Sequence, residues 1–221
     1  MPHLSSRAKP PRWLVLALFA VSCANTAHVR PTAKGHWDGD FNLGGPVAEV
    51  PGVAVIPLPL TSVGASYGIA DNLDLQAHVH LTSLVLGVAA VDVGSTWMFV
   101  KQAGAVPAVS VGARLFGFKS LRAPGADADL ELDASASWVY ARRWMSYVQG
   151  GAYVQFLGGP VLPLIAVGES LRVGRTELLL EGRWYAFNED SRYHILPWTS
   201  IGNQGALGLL FGVRYHFGDQ S

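Results

Sequence analysis

Residues 61–81 (TSVGASYGIADNLDLQAHVHL) read as two strands that fold back on each other at residues 70–72. The register that pairs Ile69 with Leu73 separates the side chains into two sets, because successive residues of a strand point to opposite faces. One face then carries the pairs Tyr67–Leu75, Ala65–Ala77, Val63–Val79 and Thr61–Leu81, and the other carries Gly68–Asp74, Ser66–Gln76, Gly64–His78 and Ser62–His80. One face of this hairpin is therefore apolar, and the other is small, polar or ionisable.

The same alternation recurs along the chain and predicts about ten strands of similar length. Besides the hairpin, the predicted strands are 35–47, 86–100, 106–118, 129–140, 144–157, 161–173, 176–187 and 205–217. The faces of 161–173 stay open, since Glu169 favours one phase while Ile165 and Leu171 favour the other. Aromatic residues gather at strand ends, with Phe116, Phe118, Phe156 and Trp184 expected at the rim opposite the 70–72 turn.

The connections between these strands alternate in length. Short turns (70–72, 101–105, 141–143, 174–175) follow the even-numbered strands, and longer loops (48–59, 119–128, 188–204) follow odd-numbered strands. Only 14% of the 221 residues are charged, against roughly 25% in an ordinary soluble domain. No run reaches the roughly 18 apolar residues of a membrane helix, so a membrane protein of this composition must satisfy its backbone in a closed sheet. The sequence predicts an all-β, transmembrane antiparallel up-and-down β-barrel.

The first 34 residues are interpreted as a targeting region rather than as part of the folded domain. A basic start and the apolar block 13–22 predict that residues 1–22 are a secretory signal peptide. The block ends at Cys23 in a sequence, AVSC, that resembles a bacterial lipobox, which implies acylation of Cys23 and a polar tether over residues 23–34. Ordinary cleavage near Ala24 is the alternative, and one cysteine excludes an internal disulfide.

Residues 35–217 resemble the bacterial outer-membrane β-barrel class. The resemblance rests first on the hairpin YGIADNLDL (67–75). It rests also on the closing strand, where Tyr215 and Phe217 look like the carboxy-terminal signal that the barrel-assembly machinery reads. Residues 218–221 are expected to form a short tail after this strand. The resemblance implies a location in the outer membrane of a Gram-negative cell, with membrane lipid and the assembly machinery as partners. A net charge of zero argues against nucleic-acid binding.

Several ionisable residues share the phase opposite to the apolar face and are expected inside the barrel. They are Asp74, His78, His80, Arg114, Glu131, Asp133, Glu181, Arg183 and Arg214. Small barrels fill their interior with side chains, which favours an internal salt-bridge lattice over a narrow polar pore. No cofactor or metal site is predicted, because His78 and His80 lack an evident third ligand.

The expected function is non-enzymatic: a structural or surface-interaction role in the outer membrane, with its ligand open. Loop 188–204 could present a recognition surface or cover the barrel mouth as a lid. A porin-like small-solute pore is the first alternative. A barrel-embedded hydrolase is a weaker one, because the G-x-S-x-G pattern around Ser66 falls within a strand rather than on a strand-to-helix turn. A lipocalin-like carrier would need the opposite arrangement of polar and apolar faces.

Overall fold

A computed structural model describes residues 25–50, 52, 54–141, 143–156, 158–191 and 197–218. Within these ranges the chain forms eleven strands and one short helix. In chain order they are β1 (Trp37–Val50), β2 (Ala54–Pro57), β3 (Leu60–Ala70), β4 (Leu73–His80), α1 (Leu81–Val85), β5 (Val88–Val100), β6 (Ala108–Ser120), β7 (Ala126–Tyr140), β8 (Trp144–Gln155), β9 (Leu162–Val173), β10 (Thr176–Asp190) and β11 (Gln204–Phe217). The predicted signal peptide, Cys23 and its acylation lie outside the described residues.

Ten of these strands close into one antiparallel barrel. Each pairs with its neighbour in sequence, apart from β2, and the barrel closes where β1 pairs with β11 from Trp37↔Phe217 to Pro46↔Gly208. Among the described residues, closure gives each of the ten barrel strands a partner on both sides, which is the condition for strands in a membrane. The turns at 71–72, 101–107, 141–143 and 174–175 share one end, termed the short-turn end, and the longer connections share the other, termed the long-loop end. The predicted fold class is confirmed.

The hairpin of β3 and β4 adopts the predicted register over most of its length. Val63 pairs with Val79, Ala65 with Ala77 and Tyr67 with Leu75. The register shifts near the turn, where Ala70 rather than Ile69 pairs with Leu73. The predicted tight pairing is wrong at this one position, because a bulge inserts one extra residue on β3.

The outer surface of the barrel is apolar. Large exposed hydrophobic side chains on the strands include Phe41, Val63, Leu75, Val93, Leu115, Leu132, Val148, Val167, Leu180 and Phe211. At the short-turn end Trp37 packs on Tyr67 and Tyr215 on Phe217, with ring centroids 4.8 and 5.0 Å apart. Rings with one polar edge favour the boundary between lipid and water. An apolar belt bordered by aromatic residues is the exterior of a transmembrane barrel.

Strand β9 resolves the face that the sequence leaves open. Leu162, Leu164 and Ser170 are buried inside the barrel, whereas Ile165 and Val167 face outward. Glu169 therefore also lies on the outer face. Its two carboxylate oxygens accept hydrogen bonds from the hydroxyls of Tyr140 (2.9 Å) and Ser146 (2.6 Å) near the short-turn end. A charged group is tolerated there because it is close to the membrane–water boundary.

The long-loop end carries a small extension of the sheet. The sequence predicts a loop over 48–59, but β1 continues to Val50 and pairs with β2. Residues of loop 188–204 add to this extension. The backbone amide of Glu49 donates a hydrogen bond to the carbonyl of Pro197, and the amide of Thr199 donates one to the carbonyl of Val47, both at 2.9 Å. The loop's Arg192, Tyr193 and His194 lie outside the described residues. Among the described residues, no helix is long and apolar enough to cross a membrane.

Removal of residues 215–221 should prevent assembly of the barrel. The truncation deletes the end of β11, including the pairs Trp37↔Phe217 and Thr176↔Tyr215 that join it to both neighbours. A matched truncation of residues 218–221 leaves the whole of β11 in place and should assemble normally. Heat-modifiable migration of membrane fractions on a gel reports folding; normal migration of the longer truncation would contradict the assembly role predicted for Tyr215 and Phe217.

Candidate functional site: a filled barrel interior

Residues 25–34, termed the luminal segment, run into the barrel from the short-turn end: Ala33 and Lys34 are exposed there, and residues 25–29 and 32 are buried inside. These residues belong to the stretch that the sequence analysis interprets as a polar tether. A turn reverses the chain between the segment and β1, with Gly35 in the left-handed region (φ 77°) and the amide of His36 bonded to the carbonyl of Ala33. The segment lies inside because it is polar and the barrel wall supplies charged partners for its side chains and backbone.

Asp74 holds the middle of the luminal segment. One of its carboxylate oxygens lies 2.6 Å from Nε2 of His28 and accepts a 2.7 Å hydrogen bond from the amide of Thr32. Its other oxygen accepts from the amide of Thr96. The hydroxyl of Thr96 in turn donates to the carbonyl of His28. Asp74 is fully buried, so each of these bonds forms away from bulk water.

Glu181 and Arg183 hold the beginning of the segment. Glu181 Oε2 accepts from the amide of Ala27 and from the Tyr147 hydroxyl, both at 2.7 Å. Arg183 binds the other oxygen of Glu181 through Nε and Nη2 (2.7 and 2.6 Å) and donates from Nη2 to the carbonyl of Asn25 at 3.1 Å. Both oxygens of this buried carboxylate therefore have hydrogen-bond partners, as buried polar groups require.

Asp92 is the centre of a second charged cluster deeper in the barrel. Its oxygens lie 2.8 Å from His78 Nδ1 and 2.8 Å from His80 Nε2, and it accepts a 2.9 Å bond from the side-chain amide of Asn25. The Nε of Arg114 lies 3.5 Å away. On its far side, His78 Nε2 lies 3.0 Å from a carboxylate oxygen of Asp40. We term the residues Asp40, His78, His80, Asp92 and Arg114 the Asp92 cluster.

All nine ionisable residues predicted for the interior lie inside the barrel, and eight of them are buried while Asp133 is half-buried. They belong to separate groups. His78, His80 and Arg114 meet at Asp92, Glu131 lies 3.5 Å from Arg114, and Glu181 pairs with Arg183. Asp74 binds the luminal segment. Arg214 lies at the short-turn end, 3.5 Å from Glu177.

Several further residues of this interior are not among the nine predicted site residues. They are His28, Asp38, Asp40, Asp92, Glu177 and His216, all of which contact another ionisable side chain. Alternation was a usable signal for the strand residues, because Asp38 and Asp40 alternate with Trp37 and Phe41 on β1. No local pattern identifies His28, since its segment is not a strand.

The long-loop half of the interior is apolar rather than ionic. Ten buried residues pack together there: Leu60, Ala90, Phe116, Phe118, Tyr153, Leu162, Leu164, Tyr185, Ala186 and Leu210. The Phe116 ring stacks on the Phe118 ring with their centroids 6.2 Å apart, and it is tilted against the Tyr153 ring with a centroid distance of 6.1 Å. Phe116 and Phe118 therefore do not belong to the outer aromatic rim that the sequence predicts. These ten residues are termed the apolar plug.

The arrangement offers little for nucleophilic or metal chemistry. Ser66 lies within β3, and its hydroxyl is 2.6 Å from the hydroxyl of Thr32. The nearest predicted bases, His78 and His80, are bound to Asp92 instead. In the described part of the chain, no three His, Cys, Asp or Glu side chains form a group suited to a metal ion. What the geometry does supply is a dense set of hydrogen bonds between the wall and the luminal segment.

No protein-family profile and no curated protein matches the sequence. Solved structures of similar architecture include the translocator domain of autotransporter NalP from Neisseria meningitidis (9% identity, TM-score 0.43, 93% of this chain and 95% of that one). An outer-membrane channel from Pseudomonas putida F1 is 11% identical with a TM-score of 0.46, and the match covers 87% of this chain and 99% of that one. The outer-membrane protease OmpT from Escherichia coli is 10% identical with a TM-score of 0.42, and the match again covers 87% of this chain and 99% of that one. The activities of these proteins differ, and none is transferred to this chain.

The exterior and the interior of the barrel together define its class. The outside is apolar with an aromatic border, the backbone is paired around a closed ring, and the charged groups are inside. The chain is a ten-stranded transmembrane β-barrel of the bacterial outer-membrane type.

Proposed function

We propose that this protein is a closed, non-conducting barrel of the outer membrane with a structural or surface-interaction role. The observation that carries the proposal is the luminal segment, whose residues Asn25, Thr26, Ala27, Val29 and Thr32 are each at most 5% exposed. The segment fills the polar half of the interior, and the apolar plug fills the other half. A pore needs a continuous water path along the axis, and the buried luminal segment and the apolar plug both oppose such a path.

Planar-bilayer recording tests the closed state. The wild-type barrel should show no steady openings, because two separate obstructions lie in series. Deleting residues 25–34 should still give none, since Phe116 and Tyr185 remain in the plug. Adding Phe116→Ala and Tyr185→Ala to the deletion removes both obstructions and should produce openings. Steady openings of the wild-type barrel would instead favour the small-solute pore.

The polar half of the interior is the specific observation that favours a pore as the second candidate. The luminal segment is held there by hydrogen bonds and ion pairs, together with apolar packing of Ala27 and Val29 against Met145 and Tyr147. A conformational change that withdrew it would expose the charges of Asp74, Glu181 and Arg183 to water. The plug opposes conduction even then, which is why the closed barrel is the leading proposal.

A surface-interaction role is supported by the extension at the long-loop end. Backbone pairing of Glu49 and Val47 with residues 197–199 holds loop 188–204 against β1. Trp198 bridges to Ala48 there and is half-buried. Residues 197–199 are thereby held at the barrel mouth, which favours recognition of a partner there. This position at the mouth equally suits a lid.

Labelling of intact cells tests the orientation that a surface role requires. Ala123→Cys places a thiol in the exposed 121–125 connection at the long-loop end, and Lys101→Cys places one in an exposed turn at the short-turn end. A membrane-impermeant maleimide should label Ala123→Cys on intact cells and Lys101→Cys only after the outer membrane is opened. The parent chain, whose one cysteine is Cys23, measures any labelling at that position and serves as the control. The reverse pattern would exclude surface recognition by loop 188–204.

A further inference from the structure

A cavity of about 250 Å³ lies at the short-turn end, between the luminal segment and the barrel wall. The segment supplies Arg30 to its lining, and the wall supplies Arg143, Arg172, Arg214, Asp38 and Glu177. Four arginines, two carboxylates and His216 therefore lie around this cavity. The cavity is separate from the Asp74, Glu181 and Asp92 groups that hold the segment.

Both carboxylates of this cavity already have partners. Asp38 Oδ1 lies 2.9 Å from His216 Nδ1, and Glu177 Oε2 lies 3.5 Å from both Arg214 Nη1 and His216 Nε2. Arg30 has neutral partners instead: its Nε donates to the Ser137 hydroxyl at 2.9 Å, and its Nη2 donates to Gln102 Oε1 at 2.7 Å and to the Ser137 carbonyl at 3.2 Å. The charge of Arg30 is therefore solvated by dipoles, with no carboxylate in contact among the described residues.

Arg214 carries a buried donor without a partner at this cavity. The residue is 6% exposed, and its Nε has no hydrogen-bond partner among the described residues. Leaving a buried donor without a partner is unfavourable, so an acceptor placed beside it would be bound favourably. The planar guanidinium group pairs best with carboxylate and phosphate oxygens, which accept two parallel hydrogen bonds.

We propose that this cavity binds a small oxyanion, a phosphate or a carboxylate, between Arg30 of the luminal segment and Arg214 of the wall. The anion accepts from the unpartnered Nε of Arg214 and offsets the charge of Arg30, whose partners are neutral. Since Asp38, Glu177, Arg214 and His216 project into the barrel, the ligand arrives from water at the short-turn mouth and not from the lipid. Its contacts to both sides would hold the luminal segment in place.

Isothermal titration of the full barrel in lipid-free, phosphate-free micelles tests this site. Inorganic phosphate is one titrant, succinate is the second, and chloride at equal ionic strength is the blank. Saturable one-site binding of either oxyanion is expected, and it identifies the class of ligand. Arg30→Gln should weaken it at least tenfold, while Arg30→Lys should weaken it less because the charge remains. Arg122→Gln, which removes one positive charge at the long-loop end, should bind like the wild type.

The outcomes that would overturn the proposal are equally distinct. Heats that match the chloride blank for both oxyanions would show that no site exists. Equal affinity of the wild type and a folded Arg30→Gln barrel, checked by heat-modifiable migration, would place any binding elsewhere. Competition by anionic phospholipid added to the micelles would overturn the assignment to a water-borne ligand. None of these three results depends on whether the barrel conducts.

Discussion

Leu132→Arg should lower the free energy of unfolding by about 2–4 kcal/mol, which is the cost of a basic side chain on the lipid face at the bilayer midplane. Leu132 is the seventh of the fifteen residues of β7 and is 46% exposed on the outer face. Arginine there must either enter the hydrocarbon or distort the bilayer around it. Reversible urea unfolding in lipid vesicles measures the loss.

Leu121→Arg is the matched control for depth. Leu121 is 60% exposed, but it lies just beyond β6 in the 121–125 connection at the long-loop end. Its arginine reaches water, so the expected loss is about 0–1 kcal/mol. Equal losses at both positions would contradict the placement of the membrane belt, and no loss at Leu132 would mean that this face does not meet lipid.

Asp92→Ala should destabilise the barrel by about 3–5 kcal/mol, as expected when one member of a buried charged network is removed. The substitution leaves His78, His80, Arg114 and Asn25 without the acceptor that they share. Replacing the carboxylate by a methyl group also opens a space among polar atoms. The same urea unfolding measurement reports the effect.

Asp133→Ala is the control for loss of a luminal carboxylate in general. Asp133 also faces the interior, but it is only half-buried, so water solvates its neighbours and the expected loss is much smaller. If Asp92→Ala and Asp133→Ala had the same small effect, the Asp92 cluster would not contribute to stability. The assignment of this cluster as the structural centre of the interior would then be wrong.

The local pattern was sufficient to predict most of the barrel wall. In β3 and β4 alternation assigned each residue to a face, and the contrast between short turns and long loops implied an even number of strands. Alternation could not assign the faces of a strand on which both faces are apolar. On β9, Leu164 fills the apolar plug while Ile165 meets lipid, so hydrophobicity alone does not separate them. Phe116 and Phe118 were misplaced at the rim for the same reason.

The filling of the barrel was not predictable from the sequence. Residues 25–34 have no periodic pattern, and their partners are remote: His28 meets Asp74 46 residues away, and Ala27 meets Glu181 154 residues away. Those partners come together only when β1 and β11 close the ring.

The sequence by itself determined which side chains could face lipid, because alternation is a local property of an extended strand. Tertiary structure alone decided what occupies the interior, because that depends on which distant polar groups a closed ring brings within hydrogen-bond distance. The luminal segment and the arginine-lined cavity beside it are both products of that closure.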